Sequence, residues 1–236
     1  MSKFWDDLSK QHEYTLELQG YDKYRGHVAR RYSTDARLEN DASIGELYNR
    51  LNIDDVIEDS GDGDALMINI NNKKVSQDSI NTTYELYCLK PIMHVTTSVL
   101  EIGAGYGRTA YGMLTRYPKL DYTIIDREPA LSVARKFLTK QFPHAKLTFL
   151  TEWDKKPREL ALCISVLTEL DFEELVKYRR ILNTCRHVFI RDWESWTNPV
   201  DGITVTKKDI INHEWKKMFE GNDRLMLGFF NGLYQV

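Results

Sequence analysis

Three glycines stand at alternate positions, Gly103, Gly105 and Gly107, directly after the apolar stretch 99–102. A strand that runs into such a turn lets a ligand approach the backbone closely, because a side chain at Gly103 or Gly105 would obstruct it. A dinucleotide fingerprint would place its last glycine at Arg108, and no Gly-Lys-Ser/Thr follows for a Walker loop. The turn therefore predicts a ligand site of another kind at the carboxyl edge of a sheet.

Two acidic residues indicate the charge of this ligand. Glu101 precedes the glycines inside the predicted strand, where a buried carboxylate needs donors or positive charge and would repel phosphates. Asp126 ends the next predicted strand, 21 residues after Gly105, the spacing at which an acid binds ribose hydroxyls. S-Adenosylmethionine fits these features: it carries a sulfonium and an ammonium but no phosphate. Its carboxylate suits the backbone N–H groups at the start of the helix after Gly107.

Strand and helix patterns from residue 98 onward predict how these residues are positioned. Buried strands are predicted at 99–102, 122–125, 147–150, 160–166 and 188–190, and helices at 107–117, 129–141 and from Asp171 onward. Two closing strands, one of them antiparallel, are predicted within 224–236. The predicted fold class is α/β, with a doubly wound, mostly parallel, seven-stranded sheet.

Composition limits the classes of partner. The chain has 236 residues, 42% of them apolar, and 32 Lys plus Arg against 35 Asp plus Glu. A net charge of -3 makes nucleic acid an unlikely main partner, since such binding depends on clustered basic residues. The three cysteines are predicted to be reduced thiols. No stretch is apolar enough for a membrane span and the first ten residues are too polar for a signal peptide, so a cytoplasmic location is expected.

The residues 101–108 and 123–131 resemble the class I S-adenosylmethionine-dependent methyltransferases, and most of all the bacterial sugar O-methyltransferases. The resemblance covers residues 84–170 well and the C-terminal third loosely. It implies that S-adenosylmethionine is the cofactor and that residues near the ends of the first four strands hold it. Those residues are Glu101, Gly103, Ala104, Gly105, Tyr106, Gly107, Asp126, Arg127, Thr151, Glu152, Trp153, Ser165 and Val166.

The first 90 residues differ in composition from the rest of the chain. They are rich in charge and tyrosine, with weak helical periodicity in 1–51, a solvated acidic loop predicted at 54–78 and a helix predicted at 82–89. We interpret residues 1–90 as an N-terminal helical lid that covers the acceptor, and residues 91–236 as the S-adenosylmethionine-binding methyltransferase domain.

Three residues are candidates for catalysis. A sugar hydroxyl is too weak an acid to ionise at neutral pH, so the reaction wants a base or a polarising metal. Glu169, just beyond the fourth strand, is the leading base, although it is equally well explained as a helix-start acid. Asp192, after the fifth strand, is a candidate to orient a histidine or to join Glu169 on a divalent metal, which the sequence permits but does not imply. His213 is the best-placed histidine, although a structural role is the commoner one.

The acceptor is the least specified part of the prediction. Several tryptophans near the predicted edge loops suit the face of a sugar, but they also suit adenine or a plain core. The expected function is O-methylation of a sugar or a sugar-containing small molecule. The alternatives are methylation of another small metabolite or of RNA, and a methyltransferase-like scaffold without catalysis; a further possibility is that the glycines form only a tight turn.

Overall fold

The computed structural model describes residues 5–7, 9–10, 41–63 and 65–236. Residues 5–7 and 9–10 are helical. The further helices are α1 (Asp41–Leu51), α2 (Gln77–Leu89), α3 (Arg108–Arg116), α4 (Ala130–Gln141), α5 (Phe172–Leu182) and α6 (Lys207–Ile210), with a 3-10 turn at Leu167–Glu169. The strands are β1 (Ile68–Ile70), β2 (Lys73–Val75), β3 (Ser98–Ile102), β4 (Asp121–Ile125), β5 (Lys146–Leu150), β6 (Leu160–Ile164), β7 (His187–Trp193), β8 (Ser195–Thr197), β9 (Thr204–Thr206), β10 (Lys216–Asn222) and β11 (Phe229–Gln235). Every helix in these described ranges is too short or too polar to cross a lipid bilayer.

Seven strands form one sheet in the order β10-β11-β7-β6-β3-β4-β5. Strands β3 to β7 are parallel, while β11 runs antiparallel to both of its neighbours, β7 and β10. The predicted doubly wound, mostly parallel, seven-stranded sheet is confirmed. Because the chain leaves β3 toward β4 on one side and later returns to β6 on the other, a crevice forms at the carboxyl ends of these central strands.

Alternate residues of each central strand enter two separate cores. Val99 packs in a core with helices α2, α3 and α4, whereas its neighbour Leu100 packs in a core with α5, α6 and the β8–β9 hairpin. The predicted start of α5 is confirmed, since the Asp171 side chain accepts a hydrogen bond from the Glu174 N–H at 2.8 Å. Helix α2 packs in the same core as α3.

Two closing strands are present as predicted, but only β11 lies within the predicted range 224–236. Strand β10 begins at Lys216 instead of after residue 224, and residues 223–228 form the turn that leads to β11. The prediction missed β10 because Lys216, Lys217 and Met218 are all exposed at the edge of the sheet, so the strand lacks an apolar alternation.

Two other connections differ from the expected pattern. Residues 151–159 cross from β5 to β6 without a helix; instead, Arg158 donates to the buried Thr123 hydroxyl at 2.9 Å and pairs with Asp154 at 3.0 Å. The acidic loop before β1 is not wholly solvated, because Asp59 is buried and accepts hydrogen bonds from the Ser76 hydroxyl and the Gly61 N–H.

Candidate functional site

The glycine turn follows β3 and passes close to the end of β6. The Gly103 N–H donates to the Ile125 carbonyl at 2.9 Å, and Gly103 has a φ of +73°. A Cβ at this position would lie 2.6 Å from Cγ2 of Val166, so both backbone conformation and space require glycine. The turn therefore lies directly against Val166, two residues after the end of β6.

Gly105 in the turn is hydrogen-bonded directly to Asp126 at the end of β4. The Gly105 N–H donates to Oδ2 of Asp126 at 2.7 Å, and the Arg127 N–H donates to Oδ1, also at 2.7 Å. Burial raises the pKa of Asp126 to about 6, even though both N–H groups favour its ionised form. A Cβ on Gly105 would meet nothing within 4 Å, so the turn has open space on this side.

Glu101 is a buried carboxylate beside the turn. It is 2% exposed, and Tyr122 donates to its Oε2 at 2.8 Å. Burial raises the pKa of Glu101 to about 7, while the Tyr122 hydrogen bond and the charge of Arg108 lower it. Within the described part of the chain, Glu101 makes no salt bridge and Tyr122 is its one hydrogen-bond donor.

A buried ionic network, which the sequence analysis did not predict, supports the turn from the α2 side. Glu85 on α2 accepts from Arg108 Nη2 at 2.7 Å, from Arg191 Nη1 at 2.8 Å and from the Thr109 hydroxyl at 3.0 Å. Arg191 also pairs with Asp223 at 2.6 Å. The one local signal was Arg191 itself, a charged residue at the end of an apolar run in a buried strand.

Asp192 organises the loop that follows β6. Its carboxylate accepts from the backbone N–H groups of Val166, Leu167 and Thr168, from the Thr168 hydroxyl at 2.6 Å and from the Trp193 N–H at 2.9 Å. Asp192 thus holds the loop after β6, and among the described residues no histidine is hydrogen-bonded to it.

Glu169 lies in that same loop and is 4% exposed. Its Oε2 atom has no hydrogen-bond partner among the described residues. Burial first, and then the neighbouring charge of Asp192, raise the pKa of Glu169 well above its ordinary value. The structure thus brings Glu169 and Asp192 together at the carboxyl edge, with Glu169 favoured in its neutral form.

Three predicted cofactor residues, Ala104, Tyr106 and Ser165, lie in the glycine turn or directly after β6. The Tyr106 hydroxyl donates to Asp78 at 2.6 Å and its ring packs on Phe137, with centroids 5.7 Å apart, so the side chain is directed toward helices α2 and α4. Ala104, which is part of the turn, is buried. Ser165 adopts a φ of +52°, and its N–H donates to the carbonyl that precedes Asp192 at 2.8 Å.

The remaining predicted cofactor residues lie around the rim. Thr151 and Glu152 are exposed after β5, and Trp153 is half-buried. The Trp153 ring packs at the edge of the second core. Arg127, directly after Asp126, pairs with Asp6 at 2.9 Å, so Asp6 lies at this edge of the sheet.

Solved structures show which fold this geometry belongs to. An S-adenosylmethionine-dependent methyltransferase from Clostridium acetobutylicum is 10% identical, with a TM-score of 0.51, over 66% of this chain and 90% of that one. TehB from Haemophilus influenzae is 13% identical, with a TM-score of 0.50, over 64% of this chain and 60% of that one. The chain has the Rossmann-like methyltransferase fold.

Other comparisons mark the limits of the similarity. The mitomycin 7-O-methyltransferase MmcR is 15% identical, with a TM-score of 0.47, and the matched part spans 60% of this chain but only 49% of that protein. No protein family and no curated protein matches the chain at the level of sequence. The finer resemblance to sugar O-methyltransferases stays a prediction.

The methyltransferase fold places His213 away from the crevice, which corrects its assignment as a catalytic candidate. His213 is exposed three residues before Lys216, where β10 begins. Lys216 pairs with Gln235, which in turn pairs with His187 at the start of β7. His213 is therefore at the amino edge of the parallel strands, opposite the glycine turn.

The tryptophans divide between core and edge. Trp215 is buried at the amino edge, where its Nε1 donates to Asn183 at 2.8 Å, so it is a core residue. Trp193 ends β7 at the carboxyl edge and packs on Phe229 with ring centroids 4.3 Å apart. In the described ranges, no group of three or more histidine, cysteine or acidic side chains is arranged to hold a metal ion.

Proposed function

We propose that the protein is an S-adenosylmethionine-dependent methyltransferase. The observation that carries this proposal is Glu101, a buried carboxylate with a single described donor on the strand that leads into the glycine turn, where Gly105 leaves open space. A cationic ligand group would pair with this carboxylate, which makes no salt bridge among the described residues, whereas a phosphate would add repulsion. Asp126 would bind the ribose hydroxyls, as its place at the end of β4 suggests.

The other parts of the crevice fit the same cofactor. The first turn of α3 offers backbone N–H groups to a carboxylate, and Val166 and Trp153 supply apolar walls near the ends of β6 and β5. When bound, S-adenosylmethionine supplies an activated methyl group, and the protein has to align an acceptor and remove its proton. Calorimetric titration with S-adenosylmethionine and S-adenosylhomocysteine tests this proposal, and absence of binding of both would refute it.

We expect the affinity for S-adenosylmethionine to fall as the pH is lowered below 7. The free protein holds Glu101 with a pKa of about 7, and a bound cation favours the carboxylate, so binding releases a proton below that pH. One linked proton weakens binding by at most about tenfold per pH unit. Calorimetry from pH 5.5 to 8 measures this slope.

The control for this titration is Glu101→Gln, which keeps the shape and the position beside Tyr122. This variant should bind more weakly at pH 8 and lose most of the slope, with only the contribution of Asp126, whose pKa is about 6, remaining. An equal slope in both proteins would remove Glu101 from the cation site.

For the acceptor, we propose the hydroxyl of a sugar or of a sugar-containing small molecule. Trp193 ends β7 at the carboxyl edge and Trp196 follows in β8, where an aromatic ring can stack on a sugar face. Residues 1–90 are proposed to cover the acceptor; the Arg127–Asp6 ion pair supports this, because it joins the N-terminal residues to the cofactor edge. Labelled methyl donor with a panel of nucleotide sugars and glycans tests the acceptor class; transfer only to other metabolites or to RNA would replace it.

Glu169→Gln is expected to lower kcat by about 100-fold, the usual contribution of a general base. Glu169 is a buried acid of the loop after β6 whose Oε2, without a hydrogen-bond partner in the part of the chain that the structure describes, could accept a proton. Its raised pKa means that it must lose its own proton before it can act. Steady-state kinetics with an accepted substrate measures the change.

The matched control is Glu173→Gln, an exposed acid four residues further along. Both variants should keep the wild-type affinity for S-adenosylmethionine. If kcat is the same in Glu169→Gln, Glu173→Gln and wild type, Glu169 is not the base and is a neutral structural acid.

A further inference from the structure

A second cleft lies far from the glycine turn, on the α2 face of the sheet. It has a volume of about 670 Å³ and runs between the C-terminal half of α2 and the β10–β11 hairpin. This volume is within the range of small-molecule sites. Strand β10 is four strands from β3 in the sheet, a separation of about 19 Å at the usual strand spacing. The cleft is therefore separate from the proposed cofactor site.

Aromatic side chains line this cleft and a glycine leaves it open. Tyr84 and Tyr87 project from α2, and Phe219 lies opposite on β10. Asn231 donates to the Tyr84 hydroxyl at 2.9 Å, which fixes that ring. A Cβ on Gly221 would meet nothing within 4 Å. Aromatic rings next to this open space suit a planar, apolar ligand.

The charge of the cleft is positive. Lys90 and Arg224 line it, both are exposed, and neither has an ion-pair partner among the described residues. Glu220 is the one acid of the lining, and it is already compensated by Lys207 at 3.2 Å and Lys217 at 3.5 Å. A ligand that places an anionic group near Lys90 or Arg224 would meet uncompensated positive charge.

We propose that this cleft is a second ligand site, for a small planar aromatic anion such as an aromatic carboxylate. The ring system lies between Tyr84, Tyr87 and Phe219, and the anionic group pairs with Arg224 or Lys90. Both requirements come from residues that the proposed methyltransferase reaction does not use. The site goes beyond that reaction and does not depend on it.

Calorimetry on the full-length chain tests the site with 2-naphthoate as the probe, 2-naphthamide as its neutral counterpart and cyclohexanecarboxylate as a non-aromatic anion. We expect 2-naphthoate to bind at least about tenfold more tightly than either, since only it satisfies both the rings and the charge. Gly221→Leu fills the cleft from its floor and should weaken 2-naphthoate binding at least about tenfold. Arg224→Gln should weaken it about threefold, as expected for an exposed charge.

The matched control is Gly45→Ala, because a Cβ at Gly45 in α1 also meets nothing within 4 Å. It should bind 2-naphthoate as the wild type does. Gly221→Leu should keep its affinity for S-adenosylhomocysteine, which separates this site from the cofactor site. Equal binding of 2-naphthoate and 2-naphthamide, or 2-naphthoate binding that survives Gly221→Leu, would overturn the proposal.

Discussion

Glu85→Ala is expected to destabilise the protein by about 3–5 kcal/mol, because it leaves buried guanidinium charge without its partner. Glu85 is fully buried and accepts hydrogen bonds from Arg108, Thr109 and Arg191. Its removal leaves Arg191 only Asp223 as an ionic partner and leaves Arg108 none among the described residues. Since a domain is stable by only about 5–15 kcal/mol, this loss is a large share of the total free energy of unfolding.

Urea denaturation followed by circular dichroism measures this loss. Glu85→Gln keeps the shape and some of the hydrogen bonds, so its denaturation midpoint should lie between those of Glu85→Ala and wild type. Glu46→Ala, which removes an exposed acid from α1, is the control and should change stability by no more than about 0.5 kcal/mol. If the free energy of unfolding of Glu85→Ala were within about 0.5 kcal/mol of the wild-type value, the network would contribute little to stability.

This network also shows what the sequence could not predict. The glycine turn and Asp126 are local features, because strand, turn and acid follow one another within a few tens of residues. Glu85 and Arg191 are 106 residues apart, and nothing in either segment specifies its partner. A buried ion pair between distant elements becomes visible only when the sheet order brings α2 over β7.

His213 and Glu169 illustrate two other limits. The assignment of His213 was wrong because the exposed edge strand β10 was not predicted. Since β10 begins just after His213, its position in the sheet places His213 at the amino edge of the parallel strands. Glu169 was expected at the carboxyl edge and lies there, but its burial beside Asp192 depends on how the loop after β6 folds onto β7. Strand order can be inferred from periodicity, whereas the ionisation state of an acid depends on packing.

Gly105→Asn is expected to weaken S-adenosylmethionine binding by at least about 100-fold, or about 2.7 kcal/mol, while leaving the protein folded. Gly105 has a φ of +58°, which asparagine tolerates better than other residues with a side chain. The protein itself offers no clash, since a Cβ there meets nothing within 4 Å. Calorimetry and a thermal melt, run together, separate loss of the ligand from loss of the fold.

Gly61→Asn is the matched control for this variant. Gly61 has a φ of +73° in an exposed loop and likewise has no atom within 4 Å of an added Cβ, so it imposes a comparable backbone cost. Both variants should melt within a few degrees of each other, and only Gly105→Asn should lose the ligand. The asparagine side chain would occupy the space that the proposal assigns to the cofactor. Wild-type affinity in Gly105→Asn would therefore mean that the cofactor does not lie on the open side of the glycine turn.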